Sequence, residues 1–370
     1  MTRKMGTWYL VLLVPFFLPA SCVCQDSQIF GVSKDVSYYT VELAKRFKIN
    51  QDEAKSDFLE FTKRPHPFGS DRQRELASYL LARARSLQLE VYEEQFSMAT
   101  PNPEAGKNGT SFVIEKIGYN IFARTKTFPQ ADCSVVLASH YDTKIVPGVD
   151  YVGANDSGSS SVLLLQLMAY LSREMKDMNG LMSEGPRCNI TALWLDGEES
   201  QLWEWDAGLL QHPARIIDNT YGSRHAANML TSCSLFEKET KCWPLRMGGT
   251  ALPAFILLDM VGSPDLKLTR EKNSSKKLVR LMERFAQKLD LSHVIDKESH
   301  AVSDDHEPFL KAGVHAVDLI DFNHLSTWHR AGDDLSTISY ESMELAGKLA
   351  ISMAVSISLE PKVFLGHADK

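Results

Sequence analysis

The sequence predicts an α/β protein in which a mostly parallel or mixed central sheet is flanked by helices on both faces. Three observations predict it. Helical and β-rich stretches alternate along the chain. Several β-rich runs are apolar at almost every position, as strands covered on both faces are. Three of those runs end in acidic residues or histidine, and open α/β sheets bind ligands beyond the carboxyl ends of their strands.

In chain order, helical patterns cover 51–63 and 71–88, the second reading "DRQRELASYLLARARSLQ". β-rich runs follow at 89–97, 117–124 and 134–139, and a helical pattern occupies 159–175. The run at 190–195 leads into "DGEES", and that at 253–259 ends in "LLDMVGS". A helix at 276–290, a strand at 315–320 and a helix at 340–357 complete the series. No internal repeat is present, and no Pro/Gly/Ser-rich linker separates two halves. A single catalytic domain over 35–370 is therefore expected, since 370 residues suffice for one large core.

Composition excludes some classes. A chain 44% hydrophobic with no low-complexity tract is globular rather than disordered. A net charge of -7 gives no reason to expect a nucleic-acid partner. At the amino end, Arg3 and Lys4 precede an uncharged run from Gly6 to Cys24 containing Pro15 and Pro19. Residues 1–24 thus have the layout of a secretory signal, the other reading being an uncleaved anchor. The expected location is secreted or in the secretory lumen, or a Golgi or ER membrane if the anchor stays. No membrane contact is expected after cleavage. With no heptad and no long apolar stripe, a monomer is expected.

Export makes the cysteines readable. Four remain beyond the signal, and an even count in an oxidising compartment permits two bridges. Cys133 and Cys188 open two β-rich runs; as neighbouring parallel strands these would start side by side, so Cys133–Cys188 is expected. Cys233–Cys242 would close a local loop. Asn108, Asn189 and Asn273 head glycosylation sequons, although Asn189 falls at a strand start.

The chemistry gathers in four segments: "SHYDT" with His140 and Asp142, "GANDSGSS" with Asp156, "DGEES" with Glu198 and Glu199, and "STWHR" with His329. Singly each has a plain explanation, such as a helix cap for Asp156 or a solvated face for the acidic pair. Jointly they offer a divalent metal two carboxylates and an imidazole, from Asp156, Glu199 and His329. Glu198 would then stand beside the metal without binding it and move protons. A cation would also make two adjacent like charges tolerable.

"SHYDT", "GANDSGSSS", "DGEE", "LLDMVGSPD", "SDDHEPFLKAGV" and "TWH" occur in the order seen in the zinc-aminopeptidase superfamily, which the chain resembles over roughly residues 55–360. Within it, "YGSRHAANM" and the acids of "SDDH" before "PFL" are most similar to animal-type glutaminyl-peptide cyclotransferases. The resemblance implies a zinc-aminopeptidase-like fold and one zinc ion held by Asp156, Glu199 and His329. It further implies Glu198 as acid/base, with Asp259 and Asp304 paired beside it. Trp328, with Trp203 or Trp205, would line the substrate pocket. The implied substrate is the N-terminal glutamine of a peptide or protein, converted to pyroglutamate with release of ammonia. Two positions depart from the cyclase pattern: Ser303 replaces a usual glutamine, and His324, at another pocket position, a usual phenylalanine.

The main rival is a zinc aminopeptidase with two metals held by His140, Asp156, Glu199, Asp259 and His329, with Asp142 close by. A binding-only relative that has lost its metal is disfavoured, because no ligand type is missing.

Overall fold

The computed structural model describes residues 32–105, 109–129, 131, 133–176, 187–203, 216–235 and 252–364. The signal-like segment, Asn108, Trp205 and the expected Cys233–Cys242 bridge lie outside the residues whose contacts are described.

The strands are β1 Glu90–Pro101, β2 Val113–Arg124, β3 Ser134–His140, β4 Asn189–Leu195, β5 Phe255–Asp259 and β6 Ala316–Ile320. They form one six-stranded sheet in the order β1-β2-β4-β3-β5-β6. β1, β2 and β4 pair antiparallel, whereas β4, β3, β5 and β6 run parallel. The sheet is thus mixed, with a parallel half. Every residue of β3 to β6 is buried, which requires cover on both faces and explains their unbroken apolar runs.

The helices are α1 Lys34–Arg46, α2 Gln51–Phe61, α3 Asp71–Ser86, α4 Ser160–Glu174, α5 Tyr221–Leu235, α6 Lys276–Lys288, α7 His306–Lys311 and α8 Tyr340–Leu359. α4 and α8 pack on the central strands, α3 and α5 on β1 and β2, and α7 on β5 and β6. Local chemistry sets several starts. Asn50, Ser70 and Ser339 each accept a hydrogen bond from an amide in the first turn of α2, α3 and α8. α8 is long and apolar enough to cross a membrane, but 83% of its apolar window is buried among α1, α4, α6 and the sheet.

Three helices were not evident as helical patterns. In α1, "VSYYTVE" mixes β-branched and aromatic residues and blurs the helical period, although Val36, Thr40, Val41, Leu43 and Ala44 share a buried face. α5 carries no strong apolar stripe, and α7 is under two turns long. The hairpin β1–β2 also exceeds the expected strands, because pairing continues to Pro101↔Val113, where side chains are mostly half-buried or exposed.

Ser134 pairs with Asn189, so β3 and β4 begin abreast, and Cys133–Cys188 bridges the residues just before them with Cα atoms 4.7 Å apart. The Asn189 side chain is buried and exchanges hydrogen bonds with the Phe128 backbone, which removes it as a glycan acceptor in the folded chain. Asn273 is exposed. The disulfide closes a loop of 55 residues, for which loop entropy gives a stabilisation of about 4 kcal/mol. Replacing both cysteines by alanine should lower the unfolding free energy by an amount of that order in urea titrations. An unchanged midpoint would refute it.

Candidate metal centre and catalytic cavity

The parallel strands deliver their last residues to one rim. β3 ends in His140, β5 ends in Asp259, and β4 runs directly into Asp196, Gly197, Glu198 and Glu199. Gly197 turns the chain with φ +70°, and a Cβ there would sit 2.9 Å from the Phe68 ring. Asp142 then fixes the acidic pair. Its two carboxylate oxygens accept the amides of Glu198 (2.9 Å) and Glu199 (3.2 Å). Buried Lys144 donates to the carbonyls of Ser200 and Leu202 and pins the far side of the turn.

Asp156 is placed in the same manner. Gly153 adopts φ +57° where a Cβ would lie 2.1 Å from the Asp156 carbonyl oxygen, so a side chain is excluded. Asp333 accepts the Asn155 and Asp156 amides at 2.6 and 3.2 Å, and Tyr151 donates to both Asp156 and Asp333. His329 takes a left-handed backbone (φ 53°), a conformation histidine tolerates better than most residues, and Trp328 stacks on its ring at 4.1 Å.

These supports bring the expected ligands together. One oxygen of Asp156, one of Glu199 and a nitrogen of His329 all lie within 4.8 Å of one another. His329 Nε2 is 3.1 Å from Glu199 Oε1 and 3.3 Å from Asp156 Oδ2. A second group, His140, Asp156 and Asp259, meets the same criterion, so Asp156 is common to both. Glu199 Oε2 is buried with no hydrogen-bond partner among the described residues. Two carboxylates and an imidazole are a donor set for zinc, and a cation held there would give the buried Glu199 Oε2 a partner.

The electrostatics agree. Burial depresses the His329 imidazole, but Glu199 and Asp156 outweigh it and push its pKa up to about 10. Burial raises Asp156, yet His140 and His329 outweigh that and hold it far below the usual carboxylate range. Glu198 and Asp304 are both raised well above theirs, by burial first and then by neighbouring carboxylates. The cavity, about 330 Å³, is faced by Asp156, Glu198, Glu199, Asp259 and Asp304 with His329, and walled by Met260, Val302, Ile320, Phe322 and Trp328. Five carboxylates meet two imidazoles here, His329 in the lining and His140 at 3.1 Å from Asp156 and 3.5 Å from Asp259.

Other predicted residues fall elsewhere. Trp203 is 50% exposed and is not in this wall. His324, also outside it, holds Asp321 at 2.6 Å on the surface side. Asp142 belongs to neither ligand group and serves instead as the acceptor for the acidic turn. Residues not singled out from sequence are Asp333, Tyr151, Asp318 and Glu271. Asp333 follows His329 by four residues in "RAGDD", and that acidic doublet was the available signal.

Fold and site together define an α/β protein of the aminopeptidase-like kind, with a group of potential metal ligands at the carboxyl ends of its parallel strands. The model of "Peptidase family M28" matches residues 120–354, and the chain belongs to that family. It is similar to the glutaminyl-peptide cyclotransferase of Drosophila melanogaster, 28% identical over 247 residues covering 61% of each chain. It is also 26% identical to that of Dictyostelium discoideum over 58% of each. The aligned region thus spans about three fifths of these curated relatives. The crystal structure of an Acidobacteriales bacterium glutaminyl cyclase superposes with a TM-score of 0.62 at 26% identity, covering 85% of this chain and 96% of that one. A leucine aminopeptidase precursor from Bacteroides thetaiotaomicron shares the fold at TM-score 0.64 and 18% identity, covering 84% and 98%.

Behind Asp304, Glu271 accepts the amides of Asn273, Ser274 and Val302 and lies 3.1 Å from His306 Nε2. Burial raises its carboxyl, but these bonds outweigh burial and lower it from 4.5 to about 2. A depressed folded pKa contributes stability above the unfolded value, lost as pH falls through the folded one. The stability difference between wild type and Glu271→Gln should therefore be flat above about pH 5 and shrink by about 3 kcal/mol towards pH 2. A pH-independent difference in chemical denaturation would contradict this.

Proposed function

We propose that the chain is a zinc-dependent glutaminyl-peptide cyclotransferase, which closes N-terminal glutamine to pyroglutamate and releases ammonia. The observation that carries the reading is the convergence of Asp156, Glu199 and His329 with Glu198 and Asp304 facing the same cavity. The names of the relatives supply the reaction class, and the donor set supports one zinc ion. A signal peptide, export and a single catalytic domain belong to the same proposal.

A bound zinc ion would supply Lewis acidity towards the γ-carbonyl of the substrate. The protein's own groups do the rest. Trp328 and the apolar wall hold the glutamine side chain folded towards its α-amine, which raises effective concentration. The amine nitrogen bonds to the γ-carbon, and Glu198 takes the amine proton. Glu198 then delivers that proton to the γ-nitrogen, the carbon–nitrogen bond breaks, and ammonia departs. The raised affinity of Glu198 for a proton suits both halves of the transfer. Asp259 and Asp304, both raised by burial, do not ionise together beside it, and Asp304 hydrogen-bonds Asp318.

A second reading, a two-metal aminopeptidase, is favoured by one observation: His140, Asp156 and Asp259 form a further ligand-like group. Mass spectrometry of a glutamine-initiated peptide separates the two, since loss of one ammonia marks cyclisation and loss of the residue marks hydrolysis. Glu198→Gln is expected to fold, keep its metal and lose about 10²-fold or more in kcat/KM; near-normal turnover would remove Glu198 from the mechanism. Chelation followed by titration with zinc should abolish and restore activity with one ion per chain. Full activity after complete chelation, or restoration only at two ions, would overturn the single-zinc reading.

A further inference from the structure

Beside the catalytic cavity lies a second one of about 460 Å³, whose lining includes Met98, Thr220, Arg224, Ser303, Glu307 and Lys311. Ser303 lines both cavities, so they meet at its short side chain. We propose that this second cavity receives the second and third residues of the peptide substrate and favours an acidic side chain there. The inference rests on the cyclase reading and adds a substrate class to it.

Position comes first. The catalytic cavity is sized for one residue, and a peptide whose first residue fills it must leave past a wall. Ser303, an exposed residue with a short side chain, is common to the two linings. A volume of about 460 Å³ next to it accommodates more of the chain.

Charge gives the preference. Arg224 donates through Nε and Nη2 to the Asn219 carbonyl at 3.2 and 2.9 Å, and through Nη2 to the Ile217 carbonyl at 3.2 Å. Its guanidinium also packs 4.9 Å from the centre of the Tyr221 ring. The group is therefore held in place, while no carboxylate among the described residues pairs with it and Nη1 donates to none of them. The nearby Asp218 is engaged, because its oxygens accept the Gln201 and Leu202 amides and the Tyr221 hydroxyl. Asp305, which also acts on Arg224, is fully buried. Lys311 and Glu307 pair with each other at 3.1 Å. Counting Arg224 and Lys311 against Glu307, the residues lining the cavity carry one net positive charge on a chain of -7 overall, with the carboxylates of Asp218 and Asp305 acting on Arg224 from behind the lining. A fixed guanidinium whose Nη1 meets no acceptor among the described residues suits carboxylate oxygens.

The test compares kcat/KM for three amidated tripeptides, Gln-Ala-Ala, Gln-Glu-Ala and Gln-Ala-Glu, with glutamine amide as the minimal substrate. The wild type should favour at least one acidic peptide over the neutral one by about three- to tenfold, with the advantage shrinking as salt is raised. Arg224→Gln should bring the acidic-to-neutral ratio to about one, and Arg224→Lys, which keeps the charge, should retain part of it. Ser303→Gln should lower kcat/KM for the tripeptides more than for glutamine amide. Equal rates for acidic and neutral peptides, or a ratio unmoved by Arg224→Gln, would overturn the inference while leaving the cyclase reading intact. If glutamine amide and every tripeptide remain uncyclised, the cyclase reading fails and this inference falls with it.

Discussion

The structure is organised around an electrostatic conflict: too many carboxylates buried in one place. Asp156, Glu198, Glu199, Asp259 and Asp304 face a single cavity, and Asp305 and Asp318 are buried behind it. Like charges at such separations in a poorly solvated site cannot all remain ionised. The protein answers in three ways. Some groups hold protons, as the upward shifts of Asp304 and Asp318 indicate. Some are neutralised by His140 and His329. The remaining charge calls for a cation, in the place where Asp156, Glu199 and His329 converge.

Holding that arrangement takes a second layer of acids that point at backbone. Asp142 binds the amides of the Glu198–Glu199 turn, Asp333 binds those of Asn155 and Asp156, and Glu271 ties the loop that carries Asp304. Each converts a flexible loop at a strand end into a fixed platform. The rim itself exists because β4, β3 and β5 run parallel and in register, so that chain segments over a hundred residues apart end side by side. The same register sets Cys133 and Cys188 opposite each other at the other end of the strands.

The central strands and the site were legible in the sequence for one physical reason. Strands buried on both faces must be apolar throughout, so a charge at the end of such a run stands out, as in "ALWLDGEE". Asp156, Glu198, Glu199, Asp259 and His329 were all found this way or through the resemblance of their motifs. Of the supporting acids only Asp142 stood out, in "SHYDT", because Asp333 and Glu271 sit in polar loops where an acidic residue is unremarked. Nor could sequence order the pocket wall. Trp203 follows the acidic pair closely, yet it faces solvent, while Phe322 and Met260 reach the cavity from β6 and β5. Helix α1 was hidden by its mix of β-branched and aromatic residues, of which Val36, Thr40 and Val41 are buried in a helix packed against α8 while Tyr38 is exposed.

The account stands on one cation resolving the charge conflict at a defined place. Crystals grown with zinc and measured on both sides of the zinc absorption edge test this directly. The account predicts one anomalous peak per chain in contact with the side chains of Asp156, Glu199 and His329. A zinc-loaded crystal with no peak at those three residues would contradict it.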